Sequence, residues 1–492
     1  MKIDFTKNFF LNEQKQKSIR KLIIDNVEYK SKVFPYDQAF YAVVNPTNFC
    51  PVGCPHCLYS SKKFKNEDQK LDKRSVNNFI KIANQAKLKM LVFSGGGEPF
   101  ENLEMMLKAI RNIETIEDVV IITSAYFSKD NDATKRVMDK VCKAGKEDRI
   151  ERGLKELIIT IRISRDNSQC RVIPTTNVIN LINYIIKKSE KNKIRVLLRT
   201  LLDKDDNNDL EISKKLNFKL RPLKQNNYND FPIIDSFPVR WMVSDDNKIQ
   251  IPIIYKPIYA LGRASNIRIK NTYSLWRIVE AELESGTSFN LCLRGPKGEG
   301  HNFYETIFKG YGFWKDNLDI FYNTPKKESS KELALYMQAT GHILINSGVP
   351  DISPNIRDIN NWHRLLNIFY SDPLQILLIE KGPFFLKNMV KEIEKDIDKE
   401  IEKTNFVFSI SLLCLKNPAI RLYLTIRAVK YYYKNNQINI KDKELEQLIK
   451  IDKQDFINAY AKWKKSSEYK ISKNRKYIDP ITGDADNIIE NL

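Results

Sequence analysis

The sequence predicts an α/β fold: a parallel sheet, doubly wound or curved toward a barrel, followed by a mainly helical region. From Phe40 to about Arg221, short β-branched or aromatic runs alternate with stretches of helical periodicity about six times. Hydrophobic residues make up 42% and aromatics 11% of the 492 residues, enough for sizeable cores and against wholesale disorder. From about Ser330 the pattern turns helical, with Leu386, Met389, Val390, Ile393, Ile397 and Ile401 on one face and Lys and Glu on the other.

Residues 1–39 read as a Lys-rich lead-in. The region 40–225 carries the alternation, with strands expected at Phe40–Asn45, Met90–Ser94, Val119–Ser124, Leu157–Ser164, Ile194–Leu201 and Phe218–Arg221. Helical stripes lie between them: Val76, Phe79, Ile80 and Ala83; Leu103, Met106, Leu107 and Ile110; and Val178, Leu181, Ile182, Ile185 and Ile186, with Thr175, Thr176 and Asn177 as cap candidates. Beyond Pro222 the alternation stops. Residues 226–330 hold an expected hairpin, Phe237–Ile254, turning at Asp245-Asp246-Asn247-Lys248, and a Gly-rich loop, Arg294 to Gly300. Residues 331–470 form the helical C-terminal region and 471–492 a polar tail. Within that region Leu422, Leu424, Ile426 and Val429 predict a packed helix in preference to a base-stacking surface.

Seven cysteines in a chain of 492 residues do not make a disulfide framework. The first twenty residues lack an apolar core, and the longest apolar run, Phe406–Leu415, is too short to span a bilayer. A cytoplasmic protein without a membrane partner is expected. Lys and Arg number 81 against 61 Asp and Glu, a net charge of +20, but the signs are interspersed and no compact basic block stands out. A nucleic-acid partner is therefore open but not favoured.

Three cysteines, Cys50, Cys54 and Cys57, fall at Cys-x3-Cys-x2-Cys directly after the first strand, in a loop turned by Pro51, Gly53 and Pro55. Three thiolates leave one position short of a closed tetrahedral zinc shell, which would need His56 or a distant fourth ligand. They also suit a four-iron cluster with one iron left for a small molecule. The second strand ends in Gly95-Gly96-Gly97-Glu98-Pro99, where glycines permit positive φ and close backbone approach, and Glu98 can accept hydrogen bonds from a ligand ammonium. Parallel sheets bind ligands at this end of their strands.

With these two motifs the sequence resembles the radical S-adenosylmethionine (radical SAM) superfamily over roughly residues 40–225. The resemblance implies a partial (β/α)6 TIM-type barrel and a [4Fe–4S] cluster on Cys50, Cys54 and Cys57. It also implies S-adenosylmethionine chelated at the open iron, with Gly96, Gly97 and Glu98 around its amino group and His56 near its adenine. Reductive cleavage would then give a 5′-deoxyadenosyl radical that abstracts a substrate hydrogen, with the electron supplied by a reductant such as flavodoxin or ferredoxin.

Further site candidates follow from strand position. Ser124 ends the third strand, Arg162 and Ser164 share one face of the fourth, and the fifth carries Arg199; a cation there suits the S-adenosylmethionine carboxylate or an acidic substrate. Cys142, Cys170, Cys292 and Cys414 are scattered, so no auxiliary-cluster domain is expected; the hairpin and Ala260–Ala264 bear a faint likeness to its start but lack its cysteines. Cys292, beside the Gly-rich loop, is the candidate hydrogen-atom donor, although a lone cysteine also serves as a small buried hydrophobe. His301, His342 and His363 sit at no metal-ligand spacing. The expected substrate is a peptide or small molecule undergoing maturation. RNA, a nucleoside or a sugar is the alternative, and a zinc-stabilised basic nucleic-acid-binding protein is the non-enzyme alternative.

Overall fold

The computed structural model describes residues 13–30, 38–55, 57, 61, 70–94, 96–189, 192–201, 208–222, 237–256, 332–345, 354–397 and 417–467. The expected donor Cys292, the Gly-rich loop, the segment 260–264, His56, Gly95, His301, Cys414 and the tail from 471 lie outside the described residues.

Two short segments precede the sheet: α1 (Glu13–Asn26) and β1 (Val27–Tyr29). The sheet then runs through β2 (Gln38–Val44), β3 (Met90–Phe93), β4 (Asp118–Thr123), β5 (Ile158–Ser164) and β6 (Ile194–Leu201). It is extended by β7 (Lys219–Pro222), β8 (Phe237–Val243), β9 (Gln250–Lys256), β10 (Glu332–Met337) and β11 (Ile343–Ile345). The spatial order is β11-β10-β2-β3-β4-β5-β6-β9-β8-β7. Seven neighbours, β10 through β9, are parallel, so the α/β class is as expected.

Between strands lie α2 (Lys73–Gln85), α3 (Leu103–Asn112), α4 (Asn131–Gly145), α5 (Glu147–Ile150), α6 (Asn167–Cys170), α7 (Thr175–Ser189) and α8 (Asn208–Leu216). Caps fix where they start: Asp72 accepts from the Ser75 N–H at 2.7 Å and Asp130 from the Ala133 N–H at 2.6 Å. The stripes read from the sequence are buried: Val76 and Phe79 on α2, Met106 and Ile110 on α3, Leu181 and Ile182 on α7. They join one cluster with Val44, Phe93, Ile121 and Ile161, which pair in register across the sheet. The other sheet face carries polar residues on β5 and β6, where Thr160 pairs with Arg195, Arg162 with Leu197 and Ser164 with Arg199.

Arg149 closes the end of α3. Its fully buried guanidinium donates to the carbonyls of Ile110, Ile113, Glu114 and Ile116, and to that of Lys155. The Ile110 and Ile113 carbonyls belong to the last turn and cap of α3, where acceptors lack intrahelical partners, and the others to the segments that follow it and precede β5.

Three readings are corrected. The run at Phe218–Arg221 is a strand, Lys219–Pro222, but it pairs antiparallel with β8 at the far edge and is not the sixth parallel strand. That position belongs to β9, because the hairpin turns back over Ser244–Ile249 and lays its second strand beside β6. The strand–helix alternation does stop after Pro222, as read, but the parallel sheet itself continues through β9. Helical text does not begin at 330 either, since Glu332–Met337 returns to pair parallel with β2. The 1–39 lead-in contains α1 and β1, and β1 pairs with β12 (Ile438–Ile440) more than 400 residues later.

The remaining helices are α9 (Trp362–Phe369), α10 (Pro373–Lys391), α11 (Pro418–Lys434), α12 (Lys443–Lys450) and α13 (Lys453–Trp463). Leu386, Met389, Val390, Ile393 and Ile397 are buried as their spacing predicted, and so are Leu422, Leu424, Ile426 and Val429, which makes α11 a packed helix. Ile401 lies outside the described residues. Arg20 of α1 pairs with Asp372, the cap of α10, and donates to Thr425 Oγ1 of α11 at 3.0 Å, all three buried. This helical unit docks on α2, where Asn78 donates to the Ile356 and Arg357 carbonyls and Gln85 accepts from the Trp362 N–H.

Two outcomes test these supports. Replacing Arg149 with Ala strands five buried carbonyl acceptors and should lower the unfolding free energy by roughly 3 kcal/mol, read from denaturant melts. Asp72 is partly desolvated, but the Ser75 hydrogen bonds and Arg357 outweigh that and hold its carboxyl below the ordinary 3.8. Its contribution is thus present above pH 3.8 and lost as pH falls through the lowered value. Asp72→Ala should cost about 1 kcal/mol at neutral pH and progressively less in acid.

Candidate cluster and ligand site

The site forms at the C-terminal ends of β2, β3 and β4. The chain leaves β2 through Asn45, whose N–H donates to the Met337 carbonyl at 2.8 Å, and Pro46, whose carbonyl accepts from Leu71 N–H and Asn102 Nδ2. Thr47, Phe49 and Val52 are buried, which anchors the cysteine loop against the sheet. Gly53 takes φ +61°, the left-handed conformation expected of the turning loop.

Cys50, Cys54 and Cys57 are half-buried thiols outside any disulfide. The Cys57 N–H donates to the Cys54 carbonyl at 3.2 Å, and Ser61 approaches Cys57 Sγ at 3.4 Å through both its N–H and its hydroxyl. Burial pushes the Cys50 thiol up to about 12; the charges of Glu98 and Cys57 add to this, and N–H groups of Val52 and Gly53 oppose it. Among the described residues no three His, Cys, Asp or Glu side chains stand close enough together to hold a metal ion. The sulfurs share a loop without meeting at a point.

The glycine loop is fitted against this cysteine loop. A Cβ on Gly97 would stand 2.1 Å from the Phe49 carbonyl oxygen and 2.5 Å from that of Thr47, so only glycine fits. Gly96 has φ +63°. The Glu98 N–H donates to the Phe49 carbonyl at 2.8 Å, so the residue before Cys50 is bonded to the residue after the glycines.

Glu98 is 3% exposed. Its Oε1 accepts from Thr123 Oγ1 at 2.7 Å, and its Oε2 from the Ser124 N–H at 2.9 Å and Ser124 Oγ at 2.7 Å. Burial raises the carboxyl above its usual range, and donors from Ser124, Thr123 and the Phe100 N–H oppose that shift. Phe100 in turn stacks on Phe127, with ring centroids 4.2 Å apart.

The sequence candidates divide accordingly. Cys50, Cys54, Cys57, Gly96, Gly97, Glu98 and Ser124 come together at one end of the sheet, and the Ser124 hydroxyl is directed at Glu98. Arg162 is buried on β5, and Ser164 and Arg199 are half-buried cross-strand partners on the polar face at the same end. Thr123, Asn102 and Asn177 were missed. A Thr-Ser pair ending a strand next to one that ends in Gly-Gly-Glu is the signal that could have found Thr123.

The thiol set and the glycine-crowded approach fit an iron–sulfur cluster with a small ligand beside it. Residues 44–198 match the family model of the radical SAM superfamily. No curated protein matches the sequence. Among solved structures, a histidine-tagged anSMEcpe with bound AdoMet aligns over 87% of this chain and 99% of its own, at 12% identity and TM-score 0.37. HydG, a maturase of the [FeFe]-hydrogenase, aligns over 94% of this chain and 85% of its own, at 11% identity and TM-score 0.32. At those scores neither carries the assignment, which rests on the family match.

The close approach at Gly97 is directly testable. Gly97→Ala should prevent the cysteine loop from seating, and after anaerobic reconstitution iron and sulfide per chain should fall at least tenfold below wild type in chemical assays.

Proposed function

We infer, from the premise that this chain is an enzyme of the radical SAM superfamily through residues 44–198, that Cys50, Cys54 and Cys57 hold its iron–sulfur cluster. Members of the superfamily use a [4Fe–4S] cluster and S-adenosylmethionine, and need a reductant and a substrate. When bound, the cluster and its cosubstrate supply a 5′-deoxyadenosyl radical, after an electron delivered by a donor of the flavodoxin or ferredoxin kind.

The observation that carries the residue assignment is the bond between the two loops: Glu98 N–H to Phe49 carbonyl at 2.8 Å, next to Cys50. It fixes a buried carboxylate one residue's reach from the cysteine loop. In this reading Gly96 and Gly97 bring the backbone close to the methionine end of the ligand. Glu98 holds the ammonium, and Arg162, Ser164 and Arg199 face the carboxylate, the ribose or an acidic substrate group from the polar sheet face. His56 would lie by the adenine and Cys292 would serve as hydrogen donor. The parallel strands β2 to β6 together with β9 curl as a partial (β/α)6 barrel, with the helices α9 to α13 beside it. Desolvation by the buried loops excludes water and protects a radical from side reactions.

For the substrate, peptide or natural-product maturation is favoured. The chain extends far beyond a minimal barrel, and α11, the segment that could have stacked bases, is packed into the core. RNA, nucleoside and sugar substrates are the alternative. Among the described residues no helix is long and apolar enough to cross a membrane.

Anaerobically reconstituted wild type should be brown and should release 5′-deoxyadenosine from S-adenosylmethionine with dithionite. Cys50→Ala, Cys54→Ala and Cys57→Ala should each lose the colour and reduce product by at least a hundredfold, read by chromatography. A colourless protein holding one zinc would overturn the assignment.

A further inference from the structure

The strand end facing Glu98 has more structure than a passive wall. Thr123 Oγ1 donates to Glu98 Oε1 at 2.7 Å, and the same oxygen accepts the Ala125 N–H at 3.0 Å, which fixes the side chain between the carboxylate and its own backbone. Ser124 contributes two donors to the other carboxylate oxygen, its N–H and its hydroxyl. Such a fan of donors needs a sharp bend directly after the strand. Ala125 supplies it with φ +64°, a left-handed conformation without the relief of glycine, or of an Asn side chain that bonds locally. Asn177 of α7 clamps the bend by donating from Nδ2 to the carbonyls of Ala125 at 3.3 Å and Tyr126 at 3.1 Å. Thr123, Ser124, Ala125 and Asn177 are all buried. Backbone strain kept at an over-determined buried position is found where geometry matters to function.

We propose that Thr123 and Ser124 are positioning residues. They lock the Glu98 carboxylate in one orientation, from which it receives the ammonium group of S-adenosylmethionine, and the Ala125–Asn177 bend holds them in place. The inference rests on the ligand reading given above and goes beyond it by assigning that orientation to the third parallel strand end. Free of these donors, a buried carboxylate can swing about its final torsion, which is broad and shallow. Binding would then have to freeze that motion in addition to placing the ligand. The consequence falls on affinity for the cosubstrate and not on the reaction that follows.

The test uses full-length, anaerobically reconstituted protein and S-adenosylmethionine itself, by calorimetry and by 5′-deoxyadenosine release. Thr123→Val keeps the shape of the side chain and removes the hydroxyl. It should weaken S-adenosylmethionine binding about tenfold or more while leaving iron content and the rate at saturating cosubstrate within twofold of wild type. Thr123→Ser should restore wild-type affinity. Placed on Glu98→Gln, Thr123→Val should cause no further loss, as a residue acting through Glu98 requires. Should Thr123→Val fail to load iron, Ser124→Ala, which keeps the backbone donor, carries the same affinity measurement. An unchanged affinity in the variants, or full additivity with Glu98→Gln, overturns the positioning role. Wild type that loads its cluster and binds no S-adenosylmethionine instead overturns the ligand reading beneath it.

Discussion

One close approach organises the site: the backbone of Gly97 lying against the carbonyls of Thr47 and Phe49, with the Glu98 N–H bonded to the latter. A side chain at 97 would push the two loops apart. The cysteine loop has little regular structure of its own, and its backbone groups must find partners elsewhere. They find them in the Glu98 N–H, the Met337 carbonyl of the neighbouring strand, the Leu71 N–H, and Asn102, which donates into the Pro46 carbonyl at 2.9 Å. The thiols are thus presented by a loop held from several directions, and the carboxylate that charges their surroundings is carried by one of the fastening residues.

Much of this was legible because it is local. Cys-x3-Cys-x2-Cys after a strand and Gly-Gly-Gly-Glu after the next are read without knowing what packs against them. The five strands from β2 to β6 fall within a few residues of their expected places, since each parallel strand is flanked by an amphipathic helix whose 3.6-residue rhythm separates it from the next. What could not be read depends on partners distant in sequence. Whether Lys219–Pro222 pairs parallel or antiparallel is decided by the hairpin that follows it, and nothing in four residues encodes that. The strand Glu332–Met337 reads as the start of helical text, yet it takes the place beside β2, a strand from the other half of the chain. The lead-in looked featureless because α1 buries its apolar face and Arg20 against helices from the opposite end of the chain.

The site residues were missed for a related reason. Ser124 was legible as a strand-end polar residue, but its partner is Glu98, twenty-six positions earlier, and the neighbour that shares this work, Thr123, has the pattern of an ordinary sheet residue. Sequence spacing identifies residues that carry chemistry. It is much weaker at identifying residues that aim them, because aiming depends on which two strand ends the topology makes neighbours.

The costs of the site are concentrated where the fold can meet them. A left-handed Ala125 and a desolvated carboxylate at 98 each work against folding, the former by an amount on the order of 1–3 kcal/mol. Both follow strands that share the row Val44, Phe93, Ile121 and Ile161, four residues with no exposed surface that pair in register across the parallel sheet. Such strands, buried on both faces, have little freedom to relax a neighbouring strain, and the same rigidity lets them hold it. A bend at Ala125 that would straighten on a surface loop is kept by Asn177, which donates to the carbonyls of Ala125 and Tyr126. The part of the sequence that departs most from good folding practice therefore sits beside the part that follows it most closely, and the departures coincide with the groups proposed above to receive the ligand.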